Sequence, residues 1–149
     1  MFGHREVFED INSQLTLTIS SVIDTYNVGT FLVGGDGQFD QIAAGTVRRL
    51  KEKYPFLRLI LVRPYWTKEL LNNREYYYEN YDDIIIPEEL LETYYRNSIT
   101  KRNRWMVEHS DYVISYQKHE YGGAYNAVKY AIKCRRPVID IKIADFFLE

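Results

Sequence analysis

Cysteine and long apolar runs are scarce in this sequence, and each shortage excludes a class of protein. Cys134 is the only cysteine, so the chain cannot form an internal disulfide, and a reducing cytoplasm is the expected location. The longest aliphatic runs have four residues, as at 59–62, whereas a membrane-spanning helix needs ~18 apolar residues. Hydrophobic residues make up 46% of the chain, which excludes a disordered protein.

An excess of positive charge and the common catalytic motifs are also missing. The formal net charge of −2 argues against a nucleic acid or a membrane surface as the partner, although a local basic cluster can still bind a small phosphorylated ligand. The chain has no Walker A loop and no Gly-x-Ser-x-Gly elbow. Its three histidines lack metal-ligand spacing, so no metal or fixed cofactor is predicted.

Short apolar strands alternate with amphipathic helices along the chain. Hydrophobic periodicity predicts helices at residues 6–26, 39–54, 98–109 and 122–132, and strands at 30–33, 57–62, 111–116 and 137–141. The stretch 64–97 is rich in tyrosine and less regular, with a short strand or extended loop at 82–87. This alternation predicts one α/β domain over residues 1–149, a Rossmann-like three-layer sandwich with a mainly parallel central sheet.

The first strand of that sheet is expected to be truncated. Gly3, His4 and Arg5 have the character of a loop between a strand and a helix, yet only Met1 and Phe2 precede them. The first strand of a doubly wound sheet is normally central. We therefore expect that Met1 is not the natural start or that another segment fills the gap. An edge left exposed there favours a homo-oligomer.

Two glycine-rich loops each join a predicted strand to a predicted helix. The residues concerned are Gly34, Gly35, Asp36 and Gly37 in the first loop and Gly122, Gly123 and Ala124 in the second. Glycine permits positive φ and close approach of a ligand, and a helix N-terminus offers unpaired N–H groups to a phosphate. The alternative is that the first loop is only a tight turn. If both loops lie at one edge of the sheet, they form one anion site.

The first loop departs from the standard dinucleotide-binding motif. Asp40 occupies the third glycine position of Gly-x-Gly-x-x-Gly, and Arg63 stands where an acidic, ribose-binding residue is expected. A standard NAD site is therefore not predicted, but Arg63 is suited to pair with a phosphate.

A polar pair falls on the apolar stripe of the helix predicted at 98–109. Arg102 and Asn103 are three and four residues beyond Ile99, so both share its inward face. A charge at such a position must be paired or must line a cavity. Two interpretations stay open for Arg102, a structural salt bridge and a contact to ligand.

Three segments, in this order, resemble the SLOG superfamily of Rossmann-like domains, and in particular its small stand-alone YpsA-like bacterial proteins. They are Phe2-Gly3-His4-Arg5-Glu6, the run from Val33 through Gly34-Gly35-Asp36-Gly37-Gln38-Phe39-Asp40 to Ala44, and the run from Lys101-Arg102-Asn103-Arg104 to Gly122-Gly123-Ala124-Tyr125. The resemblance implies a parallel sheet and binding of nucleotides or nucleotide-derived ligands. It leaves out residues 64–97.

Two branches of the superfamily are less well matched. The Lonely Guy phosphoribohydrolases use a Pro-Gly-Gly-x-Gly-Thr-x-x-Glu loop, whereas the loop beginning at Gly34 has neither the proline nor the glutamate. The DNA-processing branch binds single-stranded DNA, which the net charge of −2 does not favour.

The sequence therefore predicts a cytoplasmic domain that binds or senses a nucleotide or a nucleotide-derived ligand, without catalysis. The predicted ligand-binding residues are Gly3, His4, Arg5, Gly34, Gly35, Asp36, Gly37, Asp40, Arg63, Arg102, Asn103, Gly122, Gly123 and Ala124. One alternative is a hydrolase of an N-glycosidic or phosphate bond, with Asp40 or Asp36 as the acid or base. Another is a protein-interaction module that docks a partner through the tyrosines of residues 76–95.

Overall fold

The computed structural model describes residues 1–141. The strands are β1 (Phe2–Gly3), β2 (Thr30–Val33), β3 (Arg58–Val62), β4 (Asp83–Ile85), β5 (Val113–Tyr116) and β6 (Val138–Asp140). The helices are α1 (Asn12–Tyr26), α2 (Gln38–Leu50), α3 (Lys68–Asn72), α4 (Arg74–Asn80), α5 (Ser98–Glu108) and α6 (Gly123–Lys133), and two 3₁₀ turns lie at Glu88–Leu90 and Tyr95–Asn97.

The strands pair in parallel as two groups of three, β1-β5-β6 and β2-β3-β4. The backbone nitrogen of Met1 donates to the carbonyl oxygen of Leu32 at 2.8 Å, which joins β1 to β2. The order across the molecule is therefore β4-β3-β2-β1-β5-β6. The predicted short first strand is present, and residues 1–3 themselves fill the central position between the two groups.

Helices cover both faces of the strands, as in a Rossmann-like three-layer sandwich. Alternate residues of one strand enter opposite cores, because successive side chains of a strand point to opposite faces. Leu59 and Leu61 pack with α1 and α2, whereas Ile60 and Val62 pack with α5 and α6. The fold class predicted from the sequence is confirmed.

Several predicted boundaries are corrected. The first helix begins at Asn12 rather than at residue 6, because the Asp10 carboxylate accepts the Asn12 backbone N–H at 3.0 Å and starts the helix there. Val7 and Ile11 still pack in the core, so their spacing imitated a helical stripe. The second helix ends at Leu50 rather than 54, and α5 ends at Glu108.

The irregular stretch 64–97 contains the two short helices α3 and α4. Of the two alternatives expected at 82–87, a short strand and an extended loop, the structure has the strand, since β4 pairs with β3. Over residues 1–141, no helix combines the length and apolar character that crossing a membrane requires.

Candidate functional site

The loops that follow β1, β2 and β5 surround a cleft of about 660 Å³. The chain leaves β1 toward β2 on one side and later reaches β5 on the other, so the strand order reverses at β1. In open parallel sheets, ligands bind at such a reversal, outside the carboxyl ends of the strands. The cleft is therefore the candidate site on topological grounds.

Twelve of the fourteen residues predicted for ligand binding line this cleft. The two that do not are Gly35 and Arg63, which line a small cavity of about 130 Å³. Arg63 nevertheless stabilises the glycine loop that lines the cleft, since its guanidinium donates to the carbonyl oxygen of Gly34 at 2.6 Å and to the Asp36 carboxylate at 2.7 Å. Gly35 has φ +76°, which explains why glycine stands there.

Arg102 lies buried beneath the first glycine loop, with 2% of its surface exposed. Its Nη1 donates to the carbonyl oxygens of Gly34 at 3.0 Å and Val62 at 3.1 Å. Its Nη2 pairs with Asp36, and its Nε donates to the Asn103 side chain at 3.0 Å. Four of its five N–H groups are thus used. The ion pair with Asp36 confirms the salt-bridge interpretation of Arg102, whereas its contact to a ligand stays a prediction for a side chain that also lines the cleft.

Asp36 is held in its ionised form by two arginines. Burial alone would raise the pKa of its carboxyl, but the guanidinium groups of Arg102 and Arg63 outweigh burial and hold that pKa below its usual value. A Cβ on Gly34 would lie 2.9 Å from the guanidinium carbon of Arg102, so this packing requires glycine. Asp36 is therefore a poor proton donor and acts as a structural anchor for the loop.

The N-terminus of α2 is already occupied by the protein itself. The backbone N–H of Gln38 donates to the carbonyl oxygen of Arg5 at 2.9 Å, and that of Phe39 donates to His4 at 3.3 Å. The N–H of Asp36 donates to the Asp40 carboxylate at 2.9 Å. The amides of Gln38 and Phe39 fix the loop after β1 against α2, and that of Asp36 ties the glycine loop to the first turn of α2, so none of the three is free to hold an anion.

The N-terminus of α6, in contrast, opens into the cleft. Among residues 1–141, no acceptor takes the backbone N–H groups of Gly123, Ala124 and Tyr125. Gly122, which precedes the helix, has φ +94° and ψ 180°, a conformation that only glycine adopts readily. A Cβ there would meet nothing within 4 Å, so the backbone angle, and not crowding, explains the glycine.

His4 presents a defined hydrogen-bond donor at the rim. Its Nε2 lies 2.7 Å from the backbone nitrogen of Lys118. A backbone N–H can only donate, so Nε2 must be unprotonated and neutral His4 carries its proton on Nδ1. Burial lowers the pKa of His4, and the charges of His119 and Lys118 lower it further, which favours this neutral form.

Asp40 also lines the cleft, as does the exposed Glu6, and the environment of Asp40 differs from that of Asp36. Burial raises the pKa of Asp40, although the hydrogen bond from the Asp36 amide acts in the opposite direction. A raised pKa suits a carboxyl group that exchanges a proton with a ligand.

Some residues lining the cleft escaped the sequence analysis. His119 lies 4.6 Å from the His4 ring and stacks on Tyr121 at 5.0 Å, measured between ring centroids. Both precede Gly122 in the loop after β5, and that position at a strand end was a signal for their inclusion. Phe8, which is 89% exposed, lies at the mouth of the cleft and carried no such signal.

Comparison with known proteins supports the relationship suggested by the glycine loops. The family model YpsA, described as the YspA SLOG family, matches residues 4–144. The chain belongs to the YspA SLOG family. This SLOG protein is also similar to the uncharacterized SPbeta prophage-derived protein YoqJ of Bacillus subtilis (strain 168), with 27% identity over 147 positions covering 83% of this chain and 81% of YoqJ.

Proposed function

We propose that the cleft binds a nucleotide or a nucleotide-derived ligand through its phosphate group and that the domain senses this ligand without transforming it. The observation that carries the proposal is the N-terminus of α6, whose unpaired amides face a cleft lined by two arginines. Backbone N–H groups at a helix N-terminus and the positive end of the helix dipole together suit a phosphate.

The side chains around α6 complement the phosphate and the rest of a nucleotide. Arg5 is exposed and makes no side-chain ion pair among residues 1–141, so its guanidinium is available to a phosphate. The Nδ1–H of His4 can donate to a ribose hydroxyl or to a phosphate oxygen. The stacked pair His119 and Tyr121 offers an aromatic surface on which a base can stack.

A binding assay with matched variants tests this proposal. Nucleotides that bind should raise the melting temperature, and calorimetric titration should then give their dissociation constants. Arg5→Ala should weaken binding about tenfold or more, because a charge-assisted hydrogen bond is lost. Arg74→Ala removes an exposed arginine outside the cleft and should leave affinity unchanged. Equal losses in the two variants would reject the cleft as the site.

A hydrolase is the second candidate, and the raised pKa of Asp40 in the cleft favours it. Chromatography of any bound nucleotide after long incubation distinguishes the two functions. A released base or phosphate that disappears in Asp40→Asn would establish catalysis, whereas an unchanged ligand supports a sensor.

The interaction module remains a third possibility that the same screen addresses. Tyr76, Tyr78, Tyr94 and Tyr95 have between 50% and 73% of their surface exposed. If no nucleotide stabilises the protein, these tyrosines become the leading candidate for function.

A further inference from the structure

A second recess adjoins the cleft, between α5 and α6. It measures about 470 Å³ and shares Ile99, Asn103 and Gly123 with the cleft. Because Gly123 also starts α6, a ligand phosphate bound at that helix would lie at the entrance of this groove. The two spaces therefore adjoin along these shared residues.

The walls of the groove follow from helical spacing. Asn126, Lys129 and Lys133 are separated by three and four residues on α6, so they share one face. That face lies opposite Thr100 and Arg104 of α5. The lining therefore contains amide, hydroxyl and cationic groups, arranged along the groove that leads away from the cleft.

The charge of the groove has one sign. Arg104, Lys129 and Lys133 line it, and no aspartate or glutamate does. None of the three forms an ion pair with a carboxylate of residues 1–141. Arg104 lies 5.0 Å over the Tyr130 ring and Lys129 lies 5.3 Å over the Tyr125 ring, contacts that position a cation without neutralising it.

The acidic residue Glu108 of α5 borders this groove but forms no ion pair with its cations. It lies outside the lining, and its carboxylate accepts a hydrogen bond from the Tyr130 hydroxyl at 3.1 Å. Three cations without an ion-pair partner within residues 1–141 therefore line a groove that runs along α6 from its N-terminus to Lys133 in its last turn, and such a surface attracts a negatively charged group.

We propose that the groove between α5 and α6 binds a second anionic group of an extended nucleotide whose first phosphate lies at the N-terminus of α6. This inference rests on the proposed function. It narrows the ligand class to nucleotides that carry a further phosphate, either in a polyphosphate chain or in a phosphodiester to a second nucleoside. The two sources share the anion and differ in what connects it to the first phosphate.

Titration calorimetry with three ligand types for each base tests the proposal. The ligands are the 5′-monophosphate, the 5′-triphosphate and the 5′-phosphorylated dinucleotide. At least one extended ligand should bind more tightly than the monophosphate. In the double variant Lys129→Ala/Lys133→Ala, the affinity for that extended ligand should fall about tenfold or more, whereas the affinity for the monophosphate should not change. Binding of the extended ligand should also become less sensitive to salt.

Matched variants separate this role from a structural one. Lys101→Ala removes an exposed lysine of α5 outside the groove and should change nothing. Lys129→Arg/Lys133→Arg keeps both charges and should keep the preference for the extended ligand. A triphosphate preference identifies a polyphosphate chain, whereas a dinucleotide preference identifies a phosphodiester.

The failures are distinguishable. Suppose that monophosphates bind with the expected dependence on Arg5. The groove proposal is then wrong, and the proposed function stands, if extended ligands bind no more tightly than monophosphates or if their tighter binding persists in the double alanine variant. If no nucleotide of any length binds, the proposed function itself is wrong and the groove proposal fails with it.

Discussion

Arg102 connects three parts of the site through one side chain. It joins β3 through the carbonyl oxygen of Val62, the glycine loop through Gly34, and the anionic Asp36. A buried charge is tolerated only when its hydrogen bonds are satisfied, and here four of five N–H groups have acceptors within residues 1–141. Such an arrangement fixes the floor of the cleft before any ligand arrives.

The loss of this arginine should therefore destabilise the fold strongly. Arg102→Ala removes the side-chain donor to the carbonyl oxygen of Val62 and one of the two side-chain donors to that of Gly34. It also leaves the Asp36 carboxylate with Arg63 as its one ion-pair partner within residues 1–141. Removing one partner of a buried pair costs roughly 3–5 kcal/mol, which urea unfolding measures as a lower midpoint at an unchanged slope. Arg104→Ala on the exposed side of the same helix should stay within about 0.5 kcal/mol of the wild type. Similar midpoints for both variants would contradict the anchoring role.

His4 should make stability depend on pH in a defined window. Its folded pKa lies below the usual 6.5, with His119, Lys118 and Asp140 as its charged neighbours. Below pH 6.5 the unfolded chain therefore binds a proton that the folded chain resists, so the free energy of unfolding falls as pH falls from 6.5. The Asp36 carboxyl contributes to the loss of stability only at more acidic pH, since its folded pKa is lowered from 3.8.

Urea midpoints at about pH 7.5 and 5.5 measure this effect. The midpoint should drop on acidification in the wild type, and His4→Gln should reduce that drop. His109→Gln, at the end of α5 and outside the cleft, is the matched control. The interpretation of His4 fails if His4→Gln and the wild type lose the same stability between the two pH values.

At the scale of elements, glycines in two helical regions have opposite roles. Gly45 lies inside α2, and a Cβ there would come no closer than 3.6 Å to the Arg49 side chain, an ordinary contact. Gly122 precedes α6 with φ +94°, where an alanine would be strained. The same substitution should therefore change stability in opposite directions at the two sites.

Gly45→Ala should stabilise the protein by about 0.5–1 kcal/mol, because alanine loses less backbone entropy in a helix. Gly122→Ala should destabilise it by about 1–3 kcal/mol and should also weaken nucleotide binding, since it displaces the start of α6. Thermal unfolding with and without nucleotide measures both effects. A neutral Gly122→Ala in both assays would show that the backbone at this loop is not constrained.

The elements also show which structural features the sequence could predict. Strands such as β2 and β3 are short apolar runs bounded by turns, and their observed bounds lie within one residue of the predicted ones. The start of α1 was missed because Val7 and Ile11 pack in the core from an irregular segment before the helix, and periodicity alone cannot distinguish that from a helix. The short helices α3 and α4 are too brief for a periodic signal.

The site was predictable in its location but not in its hydrogen bonds. The positions after β1, β2 and β5 follow from the parallel sheet, and they account for nine of the twelve predicted residues around the cleft. The other three are Gly3 at the end of β1 and the pair Arg102 and Asn103 on α5. That the amides of Gln38 and Phe39 are already taken by Arg5 and His4 depends on contacts between distant segments. No local pattern contains that information.

At the scale of the whole molecule, β1 occupies an unusual position for a strand of two residues. Met1 belongs to the core on the side of α1 and α2, whereas Phe2 belongs to the core on the side of α5 and α6. A Cβ on Gly3 would lie 2.1 Å from the Phe39 ring, so α2 packs directly on the end of this strand. Residues 1–3 thus connect both hydrophobic cores and both groups of three strands, β1-β5-β6 and β2-β3-β4, which we call the half-sheets.

This arrangement removes the original reason to expect self-association through the central gap, since residues 1–3 occupy it. The homo-oligomer remains a prediction, now through β4 and β6, which are the outer strands among residues 1–141. Light scattering measures it directly. A monomer at every concentration tested would reject it.

The position of β1 also predicts that the two half-sheets unfold together. Trp66 follows β3 in one half, and Trp105 lies on α5 against the core of the other half. Because β1 contributes to both cores, separating the halves would expose Phe2 and break the bond from Met1 to Leu32.

In the single-tryptophan variants Trp105→Phe and Trp66→Phe, fluorescence and far-ultraviolet circular dichroism should therefore give one coincident urea transition each. Phe2→Ala should lower that midpoint by an amount equivalent to about 3–5 kcal/mol, since it empties a buried site at the junction. A fluorescence transition separated from the dichroism transition in either variant would show that the halves are independent and that β1 does not couple them.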